Sequence, residues 1–490
     1  MAERADQFAY PGADHDEAWR KLVYPPGYLN PQPASSYHLI VIGAGPAGLV
    51  TAIAAAGLGA RVALIERQAM GGDCLNVGCV PSKALLEFTA HDATQMGFDA
   101  AFDWLRSVRA RIAEHDSVER YTAAGVDVYL GAAKFVDERT VRVGEARLKG
   151  RRVVVATGAR AALPPIPGLS DCKPLSNETV FNLTKRPTRL AVIGAGPIGC
   201  ELSQSFARLQ VEVHLFEVAD RVLGNDAPEA GAAVADALRA AGVTMHLNAS
   251  IAKVERRGHN VVILANDYET VVDEVLVAAG RRANTDELNL AAVGVNTDAA
   301  GQIVVDRFLR STNPKIFAAG DVCAKLQFTL TADAHARIVV QNALFAPTAS
   351  TRKLVIPHCT YTQPEVASVG PTRHALETDG QAFDTYRVAF DELDRGKTQD
   401  DRIGFVEVLA TPKGKILGAT IVGMDAGEQI APLCLAMANG ITLGALGKTV
   451  LPYPTRAEYL RRLADTFNRR RLTATTKRLF GAWFRWNLRS

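Results

Sequence analysis

One arrangement occurs twice in this chain and restricts its fold more than any other feature. HLIVIG (38–43) is a continuous apolar run, followed by the alanine-rich AGPAGLVTAIAAAGLGA and then by a second apolar run, RVALIE (61–66). The change of pattern, from buried strand to helix and back, predicts a βαβ unit of about 30 residues. RLAVIG (189–194), PIGCELSQSFARLQ and VEVHLFE (211–217) repeat it 151 residues later, since 194 minus 43 is 151. That separation is far too long for a stacked repeat, so the chain is expected to hold two separate α/β domains.

Both units carry G-x-G-x-x-G between the first strand and the helix, as Gly43, Gly45, Gly48 and as Gly194, Gly196, Gly199. The first glycine permits the tight turn, the second lets backbone approach a pyrophosphate, and the third lets helix pack on strand. The helix N-terminus then presents free N–H groups to phosphate. An acid ends each second strand 23 residues after the first glycine: Glu66 and Glu217. Such a carboxylate accepts hydrogen bonds from ribose hydroxyls, so two dinucleotides are expected. Glu217 favours the free 2′-hydroxyl of NADH over the 2′-phosphate of NADPH, although Arg221 four residues on softens that preference.

The 490 residues suffice for roughly three domains. A net charge of +3 makes no case for nucleic acid as a partner. No apolar run reaches the ~18 residues of a membrane span. The N-terminal MAERADQFAY lacks the apolar stretch of a secretory leader, and a cytoplasmic protein is expected. Residues 1–36, with the proline-rich YPPGYLNPQP, read as an extension on or beside the first domain. That domain is expected over 37–187 and 281–355, the second nucleotide-binding domain over 188–280. From 356 to 470, the strand-like RVAFDEL, IGFVEVLA and KILGATIVG and the helical stretches 428–440 and 455–467 predict an α+β unit. Residues 471–490 form a basic aromatic tail, and the last 23 residues carry seven Arg or Lys and no acid. Phe480, Trp483 and Phe484 fall at i, i+3, i+4. A helix packed on the domain surface is the simpler expectation; an interfacial helix making peripheral contact with anionic lipid is the alternative.

Seven cysteines are too few, and odd in number, for a disulfide-stapled secreted fold. Cys172, Cys200, Cys323, Cys359 and Cys434 stand alone and read as small apolar residues. Cys74 and Cys79 stand together in GGDCLNVGCVPSKAL (71–85). A zinc site wants closer cysteines and a second Cys/His pair, so no structural metal is expected. A redox disulfide fits better: Gly71, Gly72 and Gly78 permit the irregular backbone that brings two Cα atoms within ~7 Å. PSKALLEF opens a helix with Pro81 in its first turn, and a helix N-terminus favours a thiolate.

GGDCLNVGCVPSK resembles the active-site segment of the flavoprotein disulfide reductases, the class I pyridine nucleotide-disulfide oxidoreductases. ATG (156–158), GRRAN (280–284), AAGDV (318–322) and YTQPEVASVG (361–370) are similar to that family's later motifs, in its order. The resemblance implies an α/β fold with two Rossmann-like dinucleotide-binding domains, for FAD and NAD, plus a C-terminal α+β dimerisation domain, and hence a homodimer. It places FAD on Gly43, Gly45, Gly48, Glu66 and Asp321, and counts Pro46, Ala47, Arg67, Gly72, Asp73, Cys74, Cys79, Lys83, Ala132, Ala156, Thr157, Gly158, Gly280, Arg282 and Gly320 among the cofactor-binding residues. It places the nicotinamide dinucleotide on Gly194, Gly196, Ile198, Gly199 and Glu217. It also implies that electrons pass from NADH through flavin to a Cys74–Cys79 disulfide. Cys79 is then the flavin-side thiolate, Cys74 the thiol that attacks substrate, and Lys83 pairs with Glu201 near the flavin.

Glutathione- and lipoamide-type members of that family carry His-Pro-Thr-x-x-Glu near the C-terminus, supplied across the dimer. Here LPYPTRAEYL (451–460) keeps Pro454, Thr455 and Glu458 but has Tyr453 for the histidine. Histidine titrates near neutrality and shuttles a thiol proton, whereas a phenol with pKa near ~10 is a poor base at pH 7. A tyrosine here resembles the mercuric reductase-like group, where it would bind or shield a soft metal held by thiolates. No Cys follows Cys434, so that group's full metal-delivery equipment is not expected. The expected substrate is thiol-reactive: an Hg(II)-like metal ion held by Cys74 and Cys79, or a disulfide. Lipoamide-type or quinone-reducing activity is the alternative, and a membrane-associated redox sensor the alternative from another class.

Overall fold

The computed structural model describes residues 14–91, 93–400, 403–470 and 472–488. The N-terminal stretch read for a leader lies outside them, as do Arg471, Arg489 and Ser490 of the tail. The chain divides into two compact units. One holds the described residues up to Val222 together with Leu238–Leu354; the other holds Leu223–Ala237 and the residues from Val355 onward.

In the first unit, β1 (Tyr37–Ile42), β2 (Val62–Glu66), β3 (Val126–Leu130), β4 (Ala133–Asp137), β5 (Thr140–Val143) and β6 (Ala146–Val155) lie in the order β3-β2-β1-β6-β5-β4. β3, β2, β1 and β6 run parallel. A parallel sheet is covered on both faces, which is why β1 and β2 read as continuous apolar runs rather than alternating ones. The N-terminal extension contributes more than an irregular strap. Asp14–Val23 form helix α1, whose Trp19 and Val23 are fully buried in one core with Leu39, Val41 and Leu64. The proline-rich stretch behind it is irregular and is tied to β3: the Tyr28 hydroxyl donates to Val128 O (3.0 Å) and Asn30 Nδ2 to Leu130 O (3.1 Å). Helix α2 (Pro46–Gly57) connects β1 to β2, with Pro46 in its first turn, where the missing N–H costs nothing.

The chain leaves this sheet through β7 (Ala159–Ala161). A second sheet follows, made from β8 (Arg189–Ile193), β9 (Glu212–Phe216) and β10 (Thr244–His246). An antiparallel meander of β11 (Ile251–Arg257), β12 (Asn260–Ala265) and β13 (Tyr268–Val272) comes next, and then β14 (Glu274–Val277) completes the parallel order β10-β9-β8-β14. The chain returns through β15 (Arg281–Ala283), paired antiparallel with β7. β16 (Ile316–Ala318) then rejoins the first sheet beside β6, so that sheet is assembled from both sides of the insertion.

The second unit is an antiparallel sheet of β17 (Pro357–Thr360), β18 (Glu365–Val369), β19 (Asp384–Ala389), β20 (Phe405–Ala410) and β21 (Ile416–Gly423), in the order β17-β18-β21-β20-β19. Leu433, Ala436, Tyr459, Leu463 and Phe467 from its helices fill one core with Val406, Val408 and Ile421. The helix expected over 428–440 is broken at Ile430, because Pro432 starts a new helix, Ala431–Ala438. Leu223–Ala237 belongs to this unit although it lies within the segment 188–280: Asp226 Oδ1 accepts from His358 Nε2 (2.9 Å) and Ser368 Oγ (3.1 Å). The tail forms the expected helix, Ala474–Asn487, but no residue of it is buried, which overturns the expectation that it packs on the domain surface. Among the described residues no helix is long and apolar enough to cross a membrane.

Candidate active site

The two glycine-rich turns are built alike. Gly43 and Gly194 have φ of 103° and 104°, a region that side chains avoid. A Cβ on Gly43 would stand 2.3 Å from Ala156 O, and one on Gly48 1.8 Å from Gly43 O. Gly199 meets Gly194 O in the same way at 1.9 Å. Glu66 accepts from Ala44 N (2.7 Å) and Gln68 N (2.7 Å); Glu217 accepts from Ala195 N (2.7 Å) and Ala219 N (3.0 Å). Each acid therefore staples its turn to the end of the neighbouring strand. A carboxylate has about four acceptor positions, so both retain capacity for ribose hydroxyls. Burial pushes the Glu66 carboxyl up, against the two backbone N–H groups that favour its charge. Neither α2 nor the helix Pro197–Arg208 has a side-chain cap, leaving their first N–H groups for phosphate. These turns fit FAD and a nicotinamide dinucleotide.

The redox segment lies against the first turn: a Cβ on Gly72 would stand 2.5 Å from Gly45 Cα. Cys74 sits on the short helix α3 (Gly72–Asn76), and Cys79 opens α4 (Cys79–His91). Both are free thiols, and they hydrogen-bond to each other. The Cys79 pKa is lowered to about 6, first by the hydrogen bond from Cys74, then by the Lys83 charge and the Thr329 hydroxyl, with burial opposing. Cys79 is exposed to solvent. Cys74, the donor of that bond, is pushed up by it. Lys83 Nζ donates to the buried Glu201 at 2.7 Å, the pairing the resemblance implied. Thr329, at the start of the helix Thr329–Leu344, stands 3.3 Å from Cys79 Sγ.

Asp321 faces the same site, its carboxyl pushed up to about 6 by burial. Arg281 lies 3.6 Å from Asp321, pairs with Asp73 and donates to Ala159 O (2.6 Å). Arg282 is exposed and pairs with Asp286 at 3.2 Å, so Arg281 is the arginine of GRRAN that turns inward. Ala156 N donates to Ile42 O (2.7 Å), and Gly158 O accepts from Asn284 N (3.0 Å). Thr157 and Asn284 bond reciprocally, at 2.7 and 3.0 Å. Gly280 O accepts from Ala162 N at 3.0 Å. Gly320 packs beside Ala47, and Arg67 pairs with Glu287 (3.4 Å). Ala132 is exposed, and Ile198 is exposed at the start of its helix, beyond Gly196.

In the other unit, Tyr453 is exposed and its hydroxyl donates to Asp394 Oδ2 at 2.8 Å. That carboxylate raises the phenol above its ordinary pKa. Glu458 Oε1 accepts from Arg462 Nε and Nη2, both at 2.8 Å. Tyrosine and glutamate thus have different partners rather than forming a dyad within the chain. Among the described residues no group of three or more His, Cys, Asp or Glu is placed to hold a metal.

The sequence reading missed the support beneath the cysteines. Trp19 Nε1 donates to Asn76 Oδ1 (2.8 Å), and Asn76 Nδ2 donates to Gly72 O (2.8 Å) and Met70 O (3.1 Å). Arg109, on α5 (Ala93–Ala113), stacks 4.8 Å over the Trp19 ring, donates to Asn76 O (3.3 Å) and pairs with buried Asp16. The only local signal was the spacing of Asp16, Trp19 and Val23 along one helix face.

This chain belongs to the pyridine nucleotide-disulphide oxidoreductases: residues 37–337 match that family and residues 356–464 its dimerisation domain. It is an FAD-dependent NAD(P)H oxidoreductase of the mercuric reductase-like group. Mercuric reductase of Lysinibacillus sphaericus is 36% identical over 455 residues, covering 89% of this chain and 83% of that protein. Dihydrolipoyl dehydrogenase 3 of Haloarcula marismortui is 31% identical over 462 residues, covering 88% and 96%. The flavoprotein disulfide reductase RclA of Escherichia coli, solved as a Cu(II) complex, superimposes with a TM-score of 0.81 at 27% identity, covering 88% of this chain and 100% of that one.

Proposed function

We propose that this enzyme carries electrons from NADH to a thiophilic metal ion of the Hg(II) type, bound through Cys74 and Cys79. The carrying observation is Tyr453, its hydroxyl committed to Asp394 at 2.8 Å, where thiol-exchanging relatives have a histidine. Exchange with a disulfide substrate needs a group that gives and takes a proton near neutrality, and a phenol held above its ordinary pKa does not. A soft cation needs no such shuttle. It displaces the Cys74 proton and is held by both sulfurs, of which Cys79 is already biased to thiolate. Bound FAD would supply the two-electron relay between nicotinamide and cysteines, held by the Gly43 turn, Glu66, Arg281 and Asp321. Lys83, anchored by Glu201, keeps positive charge beside Cys79. One hydride from NADH carries the two electrons that take Hg(II) to the metal, releasing NAD⁺ and a proton. The mercuric reductase relatives and the Cu(II) complex of RclA support this reading.

NADH is the proposed donor. The Glu217 carboxylate is pinned by two backbone N–H groups and stays in the path of a 2′-phosphate. The working form is taken to be a cytoplasmic homodimer in which this C-terminal segment completes the partner subunit's site.

The test is steady-state oxidation of NADH and NADPH with Hg(II), Cu(II), glutathione disulfide, lipoamide and quinones, in the parent and in Cys74→Ser. Metal-dependent turnover that vanishes in Cys74→Ser, with slow disulfide reduction, is the expected result. Lipoamide reduced as fast as the metal, or metal turnover surviving the substitution, sinks the proposal.

A further inference from the structure

We propose that the C-terminal helix Ala474–Asn487 is a surface anchor that seats the enzyme on anionic lipid. The helix is well begun: Thr473 Oγ1 accepts from Thr476 N at 3.2 Å, an N-cap. At about 100° per residue, Trp486, Leu479, Trp483, Phe480 and Phe484 fall within an arc of about 160°, and Arg478 and Arg485 lie opposite it. Leu479, Phe480, Trp483, Phe484 and Trp486 are 66, 49, 57, 60 and 63% exposed. Their rings meet one another, Phe480 with Phe484 at 6.4 Å and Trp483 with Trp486 at 5.2 Å. The cost of leaving this apolar face in water calls for something to cover it.

Charge selects the occupant. The last 23 residues carry seven basic residues and no acid, while the whole chain has 55 basic and 52 acidic residues, so the remainder is 48 minus 52, or −4. The chain's net excess of positive charge is thus confined to the tail. A second copy of the same tail would be repelled by it. Duplex nucleic acid would use the arginines but keeps its bases stacked inside the helix, away from the aromatic face. An anionic bilayer uses both: headgroups for Arg478 and Arg485, and the acyl boundary for the Trp and Phe rings. At about 1.5 Å per residue the helix is roughly 21 Å long, too short to span, so it lies in the interface plane.

The test is co-sedimentation of the full-length holoenzyme with vesicles of phosphatidylglycerol and phosphatidylcholine, or of phosphatidylcholine alone. Binding to the anionic vesicles only, weakened by salt, is expected. Phe480→Ser/Trp483→Ser should weaken it by at least about tenfold. Arg478→Gln/Arg485→Gln should weaken it by about 30-fold at low salt. Flavin content and NADH oxidation should be unchanged in both variants, which separates lost binding from misfolding. Equal pelleting with neutral vesicles, or no pelleting, overturns the proposal. So does binding to duplex DNA that ignores the Phe480/Trp483 change, or dissociation of a dimer by that change while vesicle binding persists.

Discussion

Trp19→Phe should loosen the redox segment although residue 19 lies 55 positions before Cys74 in the chain (74 minus 19). Trp19 is fully buried, and phenylalanine retains most of its apolar contact. What is lost is the Nε1–H bond to Asn76 Oδ1, made at 2.8 Å to a residue only 1% exposed. A buried acceptor left without its donor costs about 1–3 kcal/mol. Asn76 lies between the cysteines and ties Gly72 and Met70 through its amide, so the cost falls on the closed form of this segment. At 25 °C that range corresponds to a rise of roughly 5- to 160-fold in the local opening equilibrium. Hydrogen exchange of the holoenzyme reads it directly at amides such as Val77 N, bonded to Asp73 O at 2.9 Å, and Ser82 N, bonded to Gly78 O at 3.1 Å. These amides should exchange faster while β8 and β9 stay protected. Faster exchange confined to α1, with residues 72–82 unchanged, would refute the idea that α1 buttresses the cysteines.

Asp16→Asn should cost about 3–5 kcal/mol, because fully buried Arg109 loses its carboxylate; urea unfolding monitored by Trp fluorescence measures it, and a loss under about 1 kcal/mol would contradict it. Lys83→Met should move the Cys79 titration upward from about 6 toward the ordinary thiol value, so that less thiolate is present at neutral pH. Both consequences act in one direction, since the Lys83 cation that favours the thiolate is gone and the Glu201 carboxylate left behind opposes it; an unmoved ultraviolet thiolate titration would rule this out. Gly48→Ala should abolish FAD retention, since its Cβ would stand 1.8 Å from Gly43 O; a variant purified with full flavin absorbance would show that the turn can yield. Glu217→Ser should raise the NADPH-to-NADH ratio of kcat/KM by about tenfold or more, and an unchanged ratio would remove this acid from cofactor selection.

What the sequence disclosed was mostly local. The two βαβ units follow from apolar runs and turn glycines within 30 residues of each other, and the cysteine segment follows from its own 15 residues. What escaped depends on distant partners. The burial of α1 rests on Arg109, 93 positions from Asp16, and the partner of Tyr453 is 59 positions away. Arg281 and Arg282 are neighbours on a three-residue strand, whose side chains alternate between faces. Which one turns inward is set by the register with β7, where Arg281 opposes Ala161 and Arg282 opposes Arg160. The helical face of the tail was visible in its spacing, but what covers a face is decided outside the segment.

The paired connections β7 and β15 bear on how cofactor choice is inherited. The chain departs for the second sheet and comes back on adjacent strands, with Thr157 and Asn284 clasped at the junction. Geometrically, everything between them is a long excursion with its two ends side by side, but it is tied to the rest of the chain elsewhere as well: Glu201 accepts from Lys83, and Asp226 accepts from His358 and Ser368. A segment carrying a different residue at the Glu217 position can replace this one only if it also supplies the partners of Lys83, His358 and Ser368. The proposed donor selection at Glu217 and the Glu201 carboxylate that holds Lys83 beside Cys79 thus travel on one excursion.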